Sequence, residues 1–211
     1  MLGVDIASNL VAAGNERAQD AGLKNLRFQE GDACNLEGLA DQQFDLVVSI
    51  FGAMFVPKPN DVAKEMVRVT KRGGRIVMGN WIPNDPTLVA SILKISAAYT
   101  PPPPEGFISP MLWGSEDHVA ERFAGAGIPR DNIKFQRDTY NFNFPGTPSG
   151  FVDTFARWYG PTMNAFAAAE ANGKEDALRA ELEALFAAQN KSGRADFTSC
   201  PATFLRVTVQ C

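Results

Sequence analysis

Asp5 follows Gly3-Val4 and precedes Ile6, Asp32 follows Glu30-Gly31 and precedes Ala33, and Ser49 closes the run Phe44-Asp45-Leu46-Val47-Val48. Asp5 ends a short apolar stretch of the kind that forms a buried parallel strand. In nucleotide-binding α/β folds a carboxylate at that point accepts hydrogen bonds from the vicinal hydroxyls of a ribose. A helix follows, so capping is the competing role for Asp5. Asp32, in a turn after glycine, has the ordinary alternative of a turn residue. With a single histidine, His118, a His-rich metal centre is excluded. Cys34, Cys200 and Cys211 are far apart with no metal-like spacing, so no metal is expected.

The elements that must hold these residues alternate. Residues 1–6, 26–29, 44–50 and 75–80 read as strands, the third nearly continuously apolar, as suits a strand buried on both faces. Residues 9–21, with Ser8 as cap and Gly22 as stop, and residues 61–70 read as helices. Lys71-Arg72-Gly73-Gly74 reads as a structural turn, not a phosphate loop. Strands alternating with helices imply parallel β-α-β units with right-handed crossovers. Beyond Asn80 the texture changes: a helix over 88–99, an extended loop from Pro101-Pro102-Pro103-Pro104 through Trp113, and a helix from Ser115 to about Gly125. A strand over 133–144, helical stretches at 150–171 and 175–190, and a last strand over 203–210 complete the chain. The expectation is a single domain, with a cofactor-binding half at 1–82 and an acceptor or lid half at 83–211.

Composition narrows the partners. The chain has 211 residues, 45% hydrophobic and 21% charged, with a net charge of -4 and a pI near 5.1. It presents no basic face for a phosphate backbone, so no nucleic-acid partner is expected. No apolar stretch reaches the ~20 residues that span a bilayer, and the start lacks a basic region followed by an apolar run. No membrane partner and a reducing, cytoplasmic setting are therefore expected.

The order Gly3-Val4-Asp5-Ile6, Glu30-Gly31-Asp32-Ala33, Phe44-Asp45-Leu46-Val47-Val48-Ser49, then Arg68-Val69 with Gly73-Gly74-Arg75-Ile76, resembles a class I S-adenosylmethionine-dependent methyltransferase. Met111-Leu112-Trp113-Gly114 also resembles small bacterial methyltransferases. The resemblance implies an α/β, Rossmann-like sheet, mostly parallel with an antiparallel last strand and helices on both faces. It implies S-adenosylmethionine as cofactor and a small-molecule acceptor. It makes Asp5 and Ile6 the ribose end of the site, and Asp32 and Ala33 the adenine clamp. Ser49, Ile50 and Phe51 would lie beneath the methionine part, where Gly52 allows close approach; Phe51, Met54 and Phe55 have core packing as their alternative.

The acceptor side offers weaker candidates: Asn80, Trp81, Tyr99, Trp113 and His118. His118 has the alternative of a surface residue. Trp113 either lines a pocket or pins its loop, and Trp158 and Tyr159 belong to a lid or to the core. Compared with the family, the first strand and its glycine-rich loop are absent, so the chain reads as N-terminally truncated. That strand would stand between the Asp5 strand and the 44–50 strand. Its absence argues against turnover by this chain alone and leaves three expectations: a truncated gene product, a partner fragment or homodimer acting through an open sheet edge, or direct pairing of the two edges. A non-catalytic interaction module is thus the second functional reading. A nicotinamide-dependent oxidoreductase is third, with Asp5 on the ribose but no Tyr-x-x-x-Lys pair to follow.

Overall fold

A computed structural model describes all residues, Met1–Cys211. The elements, in chain order, are β1 (Leu2–Asp5), α1 (Ser8–Asp20), β2 (Arg27–Glu30), β3 (Phe44–Ile50), α2 (Pro59–Val69), β4 (Thr70–Trp81), α3 (Leu88–Tyr99), α4 (Glu116–Ala124), β5 (Ile133–Phe144), α5 (Pro148–Trp158), α6 (Gly160–Ala171), α7 (Glu175–Gln189) and β6 (Thr198–Gln210). The strands form two sheets: β1 with β2, and a second of order β3-β4-β6-β5. β1 and β3 do not pair, so direct joining of these two edges is excluded.

In the smaller sheet β1 runs parallel to β2, Leu2 opposite Arg27 and Asp5 opposite Glu30. Glycines let the Phe28 ring settle here. A Cβ on Gly3 would stand 2.3 Å from Phe28 Cδ1, and one on Gly14 of α1 would stand 2.8 Å from Cδ2. Asn15, one residue on, closes the outer edge of β2: its amide donates to the Phe28 carbonyl at 2.9 Å and accepts from the Phe28 N–H at 2.8 Å. One side chain thus stands in for a strand at that position.

In the larger sheet β3 and β4 are parallel, with a register shift between Phe44 and Leu46. There the expected turn at residues 71–74 proves to be an irregularity inside β4. Gly73, at φ 78°, turns the chain. Its N–H donates to the Cys211 carbonyl at 2.7 Å, and the Cys211 N–H donates to the Gly74 carbonyl at 2.9 Å. The start of β4 therefore lies beside the end of β6, and the two are antiparallel. The pairs Gln136–Arg206, Thr139–Thr203 and Asn143–Ser199 run in opposite directions, so β5 is antiparallel to β6 as well.

The chain forms two compact units. The first comprises Met1–Gly79, Glu116–Phe135 and Val207–Cys211; the second comprises Asn80–Ser115 and Gln136–Arg206. The core of the first is mostly aliphatic, with Val62, Met66 and Val69 of α2, Ile76 and Met78 of β4, and Val119 of α4 buried beside the ring of Phe123. In the second, α3, α5, α6 and α7 pack on one another around an aromatic cluster. Phe186 meets Phe151 and Phe155 edge-on, both at 5.3 Å between ring centroids.

Several boundaries differ from the sequence reading. Ser8 is the first residue of α1 and makes no capping hydrogen bond; Ala7 occupies the cap position while Asp5 serves the turn. The stretch 150–171 is two helices, broken at Tyr159, because Pro161 has no N–H to donate to the Arg157 carbonyl four residues earlier and its ring crowds that carbonyl. The last strand begins at Thr198, not 203. The helices α5–α7 lie between the last two strands in the chain, where an insertion was expected.

Candidate functional site

The first unit holds a cavity of about 600 Å³ whose walls are β1 and β3. Asp5, Ile6, Asp32, Ala33 and Ser49 all line it; Phe51 does not. The two carboxylates are half used. Asp5 Oδ1 accepts from the Ala7 N–H at 2.9 Å, opening α1, and Asp32 Oδ1 accepts from the Cys34 N–H at 2.8 Å. The local structural roles expected as alternatives are therefore real, yet each occupies one oxygen and leaves a second acceptor. Ser49 is committed: its hydroxyl accepts from the Ala53 N–H at 2.9 Å and starts the short helical turn Ala53–Phe55.

The loop after β3 is shaped with care for its backbone. Phe51 sits at φ 59°, a left-handed conformation that a bulky residue adopts only when its surroundings impose it. Its N–H donates to the Gly79 carbonyl at 2.8 Å, fixing the loop to β4. Gly52, by contrast, has an ordinary φ of -90°, and a Cβ there would meet only Ser49 Oγ at 3.7 Å. Nothing in the protein itself demands glycine at 52. Met54 is buried in the core, while Phe55 is exposed and lines the cavity.

One wall is held by Glu65, which sequence reasoning passed over, and by Arg68, which it quoted only as part of the family resemblance. Arg68 of α2 donates to the Leu39 carbonyl at 2.7 Å, to Asp41 at 2.8 Å and to the Leu36 carbonyl at 3.1 Å. It also grips Glu65 through Nε at 2.7 Å, and Glu65 Oε2 accepts from the Leu36 N–H at 2.6 Å. Leu36 and Leu39 line the cavity, so this clamp positions them. The Arg68 hydrogen bond, with the Leu36 N–H and the guanidinium charge behind it, holds the Glu65 carboxyl below its ordinary value, against a smaller opposing effect of burial. The Glu65-x-x-Arg68 spacing on a helix signals the pair; its loop targets some thirty residues earlier carry no sequence signal.

The acceptor-side candidates scatter. His118 is exposed on α4, with Nδ1 3.8 Å from Glu121, and does not line this cavity. Asn80 is buried and its Nδ2 has no hydrogen-bond partner. Trp81 and Trp113 are buried. Trp113 lies in the turn Pro110–Gly114, and a Cβ on Gly114 would stand 2.0 Å from the Trp81 carbonyl oxygen. That contact pins the loop. The Tyr99 hydroxyl donates to Glu181 at 2.6 Å. Trp158 is 72% exposed, which removes it from the core, and the Tyr159 hydroxyl is buried without a partner. No helix is long and apolar enough to cross a membrane.

Residues 1–78 match the model of a methyltransferase domain. The chain is 34% identical over 165 residues to an uncharacterised protein of Mycobacterium tuberculosis, covering 77% of this chain and 57% of that one. It is 32% identical over 98 residues, 46% of this chain and 48% of the other, to a phosphatidylethanolamine N-methyltransferase of Cereibacter sphaeroides. The chain thus spans little more than half the length of such curated relatives. A crystal structure assigned as a methyltransferase from Bacillus halodurans superposes with a TM-score of 0.58 at 14% identity, covering 99% of this chain and 81% of that one. Residues 1–78 are thus similar to a methyltransferase domain, and the chain has the fold of the class I S-adenosylmethionine-dependent methyltransferases.

Proposed function

We propose that this chain binds S-adenosylmethionine and takes part in methyl transfer to a small organic acceptor. The observation that carries the reading is the meeting of Asp5 and Asp32 on one cavity, each with an oxygen to spare. Asp5 would accept from the ribose hydroxyls, Asp32 from the adenine amino group, with the Ala33 N–H toward a ring nitrogen and Ile6 against the sugar. The sulfonium of the cofactor supplies the electrophilic methyl group. What the protein must add is alignment and exclusion of water, so the absence of a triad is no obstacle. Three free thiols, with no disulfide among them, suit a reducing cytoplasm.

Titration calorimetry with S-adenosylmethionine tests this. Binding that weakens about 10- to 100-fold in Asp5→Ala and in Asp32→Ala is the expected result, the worth of hydrogen bonds to a charged group. Asp5→Asn keeps an acceptor for the Ala7 N–H and separates ligand binding from the turn. Undiminished binding in both alanine variants sinks the assignment. Gly52→Ala is a sharper probe. Its melting temperature should stay within about 1 °C of the parent, since the added Cβ meets nothing tightly, while its affinity for the nucleoside falls.

A second reading, a methyltransferase-derived interaction module, is favoured by one observation: β1 and β3 each present a bare edge to the same cavity.

A further inference from the structure

We propose that the packing of α3 against α6, within the second unit, holds the site of the methyl acceptor, and that Ser96, Tyr159 and Thr162 take there an uncharged aromatic compound bearing hydroxyl or carbonyl oxygens. The ligand's role as acceptor rests on the methyl-transfer reading; its binding does not. Unanswered hydroxyls give the first argument. α3 and α6 pack on one another. Ser96 stands on the buried stripe of α3 with Val89 and Ile92, and Thr162 on that of α6 with Ala165 and Ala169. Tyr159 joins α5 to α6, one helical turn before Thr162. The hydroxyl oxygens of Ser96, Tyr159 and Thr162 are all buried without a hydrogen-bond partner.

This is not the habit of the chain. The other buried threonines are answered, Thr70 donating to the Met66 carbonyl at 2.6 Å and Thr198 to the Gly146 carbonyl at 2.8 Å. On neighbouring turns Ser91 of α3 donates to the Pro86 carbonyl at 3.3 Å, and Thr154 of α5 to the Gly150 carbonyl at 3.2 Å. Buried hydroxyls are rarely left unmatched, and each can both donate and accept. Three of them in one helix cluster point to a ligand that carries oxygens.

The surroundings set its class. The Tyr159 ring meets Phe155 edge-on at 5.5 Å, and Phe155 meets Phe142 edge-on at 5.9 Å, company that favours another flat ring. The stripe of α6 is made of small side chains, so parting the two helices around such a ring gives up little apolar contact. Charge is excluded by the walls. Arg122 is the one charged side chain that is buried, and it belongs to the first unit. A carboxylate or ammonium in the second unit would find no counter-charge. Burial also pushes the Tyr159 phenol well above its ordinary value, so at neutral pH it keeps its proton and orients the ligand by donating.

The test titrates 2-naphthol, naphthalene and 2-naphthoate onto the whole chain by calorimetry, without S-adenosylmethionine. The expected result is 2-naphthol bound at least about tenfold more tightly than either control, as befits a site built around hydroxyls. Tyr159→Phe and Thr162→Val should each weaken 2-naphthol about tenfold and leave naphthalene unchanged. Their melting temperatures should stay at or above the parent's, because each removes a buried hydroxyl that nothing in the protein answers. Equal affinity for 2-naphthol and naphthalene would overturn the proposal, as would binding of none of the three or tighter binding of 2-naphthoate. Undiminished 2-naphthol binding in both variants would place the compound elsewhere and overturn it too. So would a lowered melting temperature in both, which would assign the hydroxyls to the fold. Because the cofactor is left out, the acceptor site can fail while S-adenosylmethionine binding holds, and the reverse.

Discussion

Truncating Phe186 to alanine is expected to cost about 4 kcal/mol of stability. The ring is fully buried in the second unit and braces Phe151 and Phe155 edge-on, so its removal leaves a cavity that three helices cannot close. Urea denaturation followed by tryptophan fluorescence measures the loss. A local reporter lies close by: the buried Cys200 thiol is 3.7 Å from the Phe186 carbonyl, and burial pushes its pKa up to about 11. In the parent it should resist thiol reagents at pH 8; in Phe186→Ala it should label many times faster. A variant that loses less than about 1 kcal/mol and keeps Cys200 protected would show that the cluster repacks without it.

Arg68→Met is expected to lose about 2–3 kcal/mol, the worth of charged hydrogen bonds that the apolar replacement cannot make. The figure stays below that of a buried ion pair, because the Arg68 side chain is 31% exposed. The loop from Leu36 to Asp41 should loosen, and nucleoside affinity should fall with it. The pH dependence has a definite sign. Arg68 lowers the Glu65 carboxyl below its ordinary value of 4.5, so the clamp's contribution is fully present above that value and lost as the pH falls through the lower folded-state value. The gap between parent and Arg68→Met should therefore narrow as the pH falls below 4.5, leaving the share carried by the Leu36 and Leu39 carbonyls, which do not titrate; a gap that does not narrow would put the loss on packing instead.

How much of this was legible depends on where the signal lives. The alternation of strand and helix through Asn80, and the placing of Asp5, Asp32 and Ser49 at strand ends, follow from local pattern, and those three residues do share one cavity. The start of β6 was missed because Pro201 reads as a strand breaker. The structure shows why it is tolerated. The Thr203 N–H donates to the Thr87 hydroxyl at 2.8 Å, not to a strand, and Pro201, two residues earlier, turns its missing N–H to that same unladdered side. The Arg68 clamp and the Asn15 edge cover were invisible for a different reason. Each joins a helix to backbone groups distant in sequence, and backbone groups look alike in every residue.

Phe51 carries a consequence of another kind. At φ 59° a glycine would sit without strain, and phenylalanine gives up about 1–2 kcal/mol to be there. Drift alone runs toward glycine or asparagine at such a position. The loop after β3 therefore holds backbone strain that Phe51→Gly or Phe51→Asn would release.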